Sequence, residues 1–209
     1  METKQDTLIY IWDAYCGWCY GFSESIRGFY KNHPEIPLTV LSGGLFLDNL
    51  PIKKFSYISE GNKRINQLTG AEFGPSYQAL LSEGTFTMNS KDAAIGFSAL
   101  RSLAPNRLLE FTSAMQKAFY YNGKSLSDPE TYRKIAIDHH LDPEQVLERL
   151  KSQETIIDVQ NDFNTVQQLG INSYPSLLLH KDNQLITIGG GVMTSDKIEA
   201  RFKDCYIIK

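Results

Sequence analysis

The stretch Tyr15-Cys16-Gly17-Trp18-Cys19-Tyr20 lies between an apolar run, Leu8-Ile9-Tyr10-Ile11-Trp12, and a segment that reads as a helix from Trp18 to about Tyr30. The run has the near-continuous hydrophobicity of a strand covered on both faces. Two cysteines with two residues between them, at a strand-to-helix junction, predict a dithiol/disulfide pair. In the first turn of a helix, Cys16 falls at or near the N-cap and Cys19 about one turn later, close enough for their sulfurs to bond. The unpaired amides and positive end of the helix dipole favour thiolate on Cys16. Cys19, deeper in the helix, is then the resolving thiol.

Three plainer readings compete. A zinc site needs a second pair of ligands. The only other cysteine is Cys205, and the adjacent His139 and His140 point in different directions on a helix. No metal is therefore expected. A purely structural disulfide closing so small a loop stabilises little. Two unrelated buried cysteines would not need the strand-to-helix setting.

A second stretch strengthens the redox reading: Gly170-Ile171-Asn172-Ser173-Tyr174-Pro175-Ser176-Leu177-Leu178-Leu179. A helix-ending Gly, a short loop, a Pro and an apolar strand follow one another. A cis bond before Pro175 would free the N–H and C=O of Tyr174 to pair with an extended substrate. The competing reading is a trans-Pro at the first residue of an edge strand. Beside a cysteine pair, the cis reading is preferred.

Composition narrows the function classes. The chain has 209 residues, 42% of them hydrophobic, enough for a sizeable core, and a formal net charge of −3. That charge gives no basic footprint for nucleic acid and no polybasic membrane patch. No apolar run approaches a membrane span. The polar start, Met1 to Asp6, has no apolar core of a secretory signal. The expected location is cytoplasmic, where a CxxC is catalytic or redox-active more often than a permanent staple.

Read in order, Ile36–Leu41 follows the first helix as a second strand and ends at Ser42-Gly43-Gly44. The cysteines thus sit at the carboxyl end of the first strand of a βαβ unit, where open α/β sheets place their chemistry. From about Asp48 to Ser152 the pattern is helical. Pro51–Leu68 is a moderate helix, and Asn89 caps another whose Ala93, Phe97 and Leu100 share a face. Asp128-Pro129 and Asp142-Pro143 are strong starts. A clean helical face from Ile156 to Leu169 closes at Gly170. Ser176–His180 and Gln184–Ile188 form a hairpin, interrupted by Gly189-Gly190-Gly191 as a turn or bulge. A last helix capped by Thr194 or Ser195 runs to about Lys203, with Cys205 beyond it as a bystander.

The order strand, CxxC, helix, strand, helical insertion, long helix, X-Pro, hairpin, helix resembles the DsbA family over nearly the whole chain. Locally, Asp13-Ala14-Tyr15-Cys16-Gly17-Trp18-Cys19-Tyr20-Gly21-Phe22 is similar to the motif of its cytoplasmic FrnE-like branch. That branch usually has Pro after the first Cys, where this chain has Gly17. The resemblance implies an α/β, thioredoxin-like fold with an inserted all-helical subdomain. Residues 1–47 and 153–209 would form the thioredoxin-like part, and residues 48–152 the helical insertion. It also implies Cys16 as attacking thiol, Cys19 as resolving thiol and Tyr174-Pro175 as the substrate-positioning loop. The family often has a small or β-branched residue where this chain has Tyr174.

The expected activity is protein-disulfide oxidoreduction by thiol–disulfide exchange, with protein or peptide thiols and disulfides as partners. No cofactor is expected beyond glutathione as a candidate small-thiol reductant. Gly17-Trp18 offers no imidazole to hold a thiolate, so a less oxidising pair is expected than one with His there. Asp13 and Glu24, the nearest carboxylates, are candidate proton relays to Cys19, against a solvated strand end and helix face. Trp18 and Tyr15 are expected to flank the sulfur as an apolar docking surface. The four histidines, at element ends, read as surface residues. Two other functions stay open: a glutathione-dependent isomerase or transferase of the same architecture, whose nucleophile position is typically Ser, and a non-enzymatic holdase using an exposed apolar groove.

Overall fold

The computed structural model describes residues 5–207; the polar stretch Met1–Lys4 lies outside them. The first strand, β1 (Thr7–Trp12), leads through helix α1 (Gly17–Lys31) to β2 (Leu38–Ser42). The two strands pair in parallel with Leu8 opposite Leu38 and Trp12 opposite Ser42. Far along the chain, β3 (Ser176–Lys181) pairs antiparallel with β1, and β4 (Gln184–Gly190) returns beside β3. The sheet order is β2-β1-β3-β4.

Alternation along β1 distributes the core. Leu8, Tyr10 and Trp12 face the side covered by Phe22 and Ile26 of α1 and by Ile198 and Phe202 of α9 (Ser195–Ile207). Ile9 and Ile11 face the opposite side, where Val166 and Leu169 pack with Leu41 and Leu178. Val166 belongs to α8 (Gln153–Gln168), which returns the chain to the sheet.

Between β2 and α8 the chain forms six α-helices: α2 (Ile58–Thr69), α3 (Pro75–Glu83), α4 (Ser90–Leu103), α5 (Leu108–Tyr120), α6 (Pro129–Asp138) and α7 (Pro143–Arg149). Their starts follow the capping signals. Side chains of Asn89, Asp128 and Asp142 accept from the first-turn amides of α4, α6 and α7. Arg101 of α4 ties three elements together. Its guanidinium donates to the carboxylates of Asp158 and Asp162 on α8 and to the Val40 carbonyl of β2.

Several boundaries differ from the sequence expectation. The second strand begins at Leu38, because Pro37 can only accept: its carbonyl takes the Leu8 N–H at 2.8 Å. The helix expected over Pro51–Leu68 splits into a 3₁₀ turn at Ile52–Lys54 and α2. The break arises where the chain is tied to residues 84–87: Pro51 bridges Thr87, and the Ile52 N–H donates to Phe86 O at 2.7 Å. Gly189 and Gly190 belong to β4, and the expected bulge lies beside them: Leu177 pairs with Gly189 and Leu178 with Thr187, which leaves Ile188 as the extra residue, and a turn begins at Gly191. The last helix runs to Ile207, so Cys205 sits inside it, its Sγ on the Arg201 carbonyl at 3.2 Å. No Gly or Pro follows Lys203 to stop the helix, and the Tyr206 hydroxyl anchors the end on Asp6 at 2.6 Å.

His33 and His139 are half-buried rather than free surface residues. His33 Nε2 lies 2.7 Å from Glu199 of α9, its ring between Phe29 and Phe202. His139 Nδ1 lies 2.6 Å from Glu110, its ring edge-on to Phe111. In both, a partner distant in sequence claims the ring.

Candidate active site

Cys16 is the N-cap of α1, with extended backbone (φ −84°, ψ 109°). Its sulfur accepts the Cys19 N–H at 3.4 Å, and its thiol donates to the carbonyl of Tyr174 at 3.5 Å. A helix N-cap thus holds the sulfur where the first-turn amides converge. Cys16 is 5% exposed and Cys19 wholly buried, and both are free thiols. Burial pushes the Cys19 thiol well above its ordinary range, and its hydrogen-bonded neighbour Cys16 pushes it further. The phenol of Tyr10 on β1 is buried near the pair; burial and the two sulfurs raise the Tyr10 pKa well above the phenolic range.

The loop before β3 supplies the opposite wall. The Tyr174–Pro175 bond is cis. The Tyr174 ring is turned away from the sulfur onto Gly43, and its hydroxyl donates to the Gly43 carbonyl at 2.8 Å. Gly43 N–H in turn donates to Trp12 O at 2.7 Å, fixing that backbone to the end of β1. Gly190 passes close to Pro175: a Cβ there would stand 2.6 Å from the Pro175 carbonyl oxygen.

The remaining predicted residues divide. Asp13 is 2% exposed and not a solvated strand end. Its carboxylate accepts from Tyr15 N at 2.9 Å, Leu45 N at 2.8 Å and Ser90 Oγ at 3.0 Å. It therefore clamps the cysteine loop, the segment after β2 and the start of α4. Burial raises its pKa despite these donors, and its charge bears on Cys19. Glu24 does not approach Cys19. Five residues along α1 turn it about 140° from Cys19, onto an exposed face, while Cys19 is buried. Tyr15 is core rather than docking surface. It is 2% exposed, its ring meets Phe119 edge-on at 4.7 Å, and its hydroxyl accepts from Leu126 N at 3.1 Å. Trp18 is half-buried and lines the cleft beside Cys16.

Sequence reasoning missed Tyr10, Gly43 and Asn62 of α2, and also the exposed Leu45, Leu47, Leu50 and Tyr57 after β2. Only the three leucines left a readable sign: apolar residues crowded between Gly44 and Pro51 with neither strand nor helix periodicity. Among the described residues, no three His, Cys, Asp or Glu side chains converge as a metal would require.

No curated protein matches the chain. Its fold is similar to that of a Nitrosomonas europaea protein classed provisionally as a protein disulfide isomerase (20% identity, 98% of each chain, TM-score 0.85). It is also similar to the cytosolic disulfide reductase DsbM from Pseudomonas aeruginosa (22% identity, 97% of this chain and 100% of that one, TM-score 0.83). The same reductase with GSH superposes over 96% of this chain and 98% of its own (20% identity, TM-score 0.79). The model of the DSBA-like thioredoxin domain matches residues 7–200, so the chain belongs to the DSBA-like thioredoxin family, which supports a thiol–disulfide redox activity.

Proposed function

We propose that the protein exchanges disulfides through Cys16 and Cys19 with protein or peptide substrates, working as a reductase or isomerase in the cytoplasm. The observation that carries this is the placement of Cys16 Sγ at the tip of α1, 3.5 Å from the Tyr174 carbonyl, with Cys19 buried one turn behind.

Cys16 thiolate attacks one sulfur of a substrate disulfide. A Cys16–substrate bond forms as the substrate S–S bond breaks, and the first substrate thiolate leaves and takes a proton. Cys19 then loses its proton and attacks Cys16 Sγ, which forms the Cys16–Cys19 disulfide and releases the second substrate thiol. The substrate gains two electrons and two protons, and the cysteine pair loses them. Two molecules of glutathione can return the pair to dithiol, giving one glutathione disulfide. The glutathione-bound reductase of the same fold supports that choice of reductant. In this reading Tyr174 and Pro175 position the substrate strand, Trp18 flanks it, and Asp13 accepts the proton of Cys19.

The same reading takes residues 48–152 as a helical unit inserted into a redox unit of residues 1–47 and 153–209. The distribution of the strands supports this, since β1 and β2 precede the helices and β3 and β4 follow them. The exposed Leu45, Leu47, Leu50 and Tyr57 favour a second reading, a module that holds apolar protein segments. Insulin reduction by wild type and Cys16→Ser separates the two. Exchange predicts that Cys16→Ser abolishes turnover; equal turnover in both proteins would refute it.

A further inference from the structure

Beside Cys16 the fold forms a small open cavity that the exchange steps alone do not use. Its volume is about 90 Å³, and Trp18, Phe46, Ile58, Asn62 and Ile65 are among its walls. It lies between the roughly 30 Å³ share of one water molecule and the roughly 150 Å³ of an apolar cavity that binds benzene. That is room for one side chain. Apart from Cys16, whose thiolate is the nucleophile, none of its lining residues carries a charge.

Two residues give it shape. A Cβ on Gly17 would stand 2.9 Å from Ile65 Cδ1, so α2 packs directly against the cysteine motif with no side chain between them. Asn62, 6% exposed, donates from Nδ2 to the Tyr77 hydroxyl at 2.9 Å. This turns Oδ1 toward Gly17, 3.5 Å from the same Cβ position. The cavity's buried amide and one of its phenols thus pair with each other.

We infer that this cavity is a specificity subsite for an uncharged aliphatic side chain flanking the reactive cysteine of a peptide or protein disulfide. The inference rests on exchange at Cys16. An aliphatic neighbour gains by leaving water, whereas a charged one loses hydration against a wall with no counter-charge. Glutathione, with Gly on one side of its cysteine and a γ-linked Glu on the other, leaves the subsite empty. The subsite therefore selects protein clients over the small thiol that reduces the pair.

The test uses symmetric disulfides of N-acetylated, C-amidated tripeptides in which Cys is flanked on both sides by Leu, by Gly or by Asp. Each kcat/KM is divided by that peptide's rate with free dithiothreitol. The expected order is Leu above Gly above Asp, with Leu about ten-fold over Gly. Asn62→Asp, which puts a carboxylate in the wall, is expected to bring the Leu-to-Gly ratio near one. Equal normalised rates for wild type, all lost in Cys16→Ser, would overturn the subsite and leave exchange standing. Turnover that survives Cys16→Ser, or no turnover of any of the three, would overturn exchange and the subsite with it.

Discussion

Tyr174 is seated on Gly43. A Cβ at position 43 would stand 2.3 Å from the nearest ring carbon of Tyr174, and the hydroxyl reaches the Gly43 carbonyl at 2.8 Å. The contact explains how this chain accommodates a large residue just before Pro175: the ring lies over a backbone without a side chain, which leaves the Tyr174 carbonyl facing Cys16 Sγ. Gly43 follows β2 directly, so the sheet edge and the proline loop are locked to each other through one glycine.

Gly43→Ala is expected to push the ring toward the cysteines. Overpacking of this kind costs about 1–3 kcal/mol, and exchange, read as kcat/KM for insulin, should fall about ten-fold. The double variant Gly43→Ala with Tyr174→Val should recover most of both losses, because the clash has gone. Losses that simply add in the double variant would show that the two residues are not coupled.

Tyr10→Phe keeps the ring and removes the hydroxyl near the cysteine pair. A hydrogen bond to a charged group contributes about 1.5–3 kcal/mol, so Cys19 thiolate should form less readily. Resolution of the Cys16 mixed disulfide should slow about ten-fold, and its rising pH limb should move upward while the Tm stays nearly constant. An unchanged pH profile would make Tyr10 a packing residue only.

Arg101→Met leaves Asp162 buried without its guanidinium. Removing one partner of a buried ion pair costs about 3–5 kcal/mol. At this chain length that corresponds to a Tm lower by about 10 °C, readable by calorimetry. Asp162 also accepts the Ser42 N–H at 3.0 Å, so the end of β2 beside Gly43 should show faster amide exchange.

Acid stability should depend on Glu110. The Arg107 guanidinium beside it, with His139, holds its carboxyl down to about 2. A depressed acid stabilises the fold above its unfolded pKa, near 4.5, and that contribution is lost as pH falls toward 2. The pair is 44% exposed on the Glu110 side, so screening leaves about 0.5–1 kcal/mol. Glu110→Gln should lower the Tm by about 2 °C at pH 7 and match wild type at pH 2.

The sequence read well where information is local. The apolar run before the cysteines, the Asp-Pro helix starts and the glycine after α8 each specify an element through neighbours a few residues away. The rest depends on chain segments meeting at a distance. Tyr10, inside an apolar strand, reads as core; alternation places it on the α1 side, but nothing local says that Cys19 will lie near it. Tyr15 looked available beside a reactive sulfur until α5 brought Phe119 against its ring. Arg101 and Asp162 are 61 residues apart, and His33 and Glu199 are 166 apart. Glu24 shows the reverse: sequence proximity to Cys19 suggested a role that helix geometry removes.

The most direct test is covalent trapping. Cys19→Ala is incubated with a peptide disulfide, and the adduct is located by intact mass and peptide mapping. One peptide attached at Cys16, absent in Cys16→Ala, is the predicted result. An adduct found instead on Cys205, or no adduct at all, would contradict Cys16 as the attacking thiol.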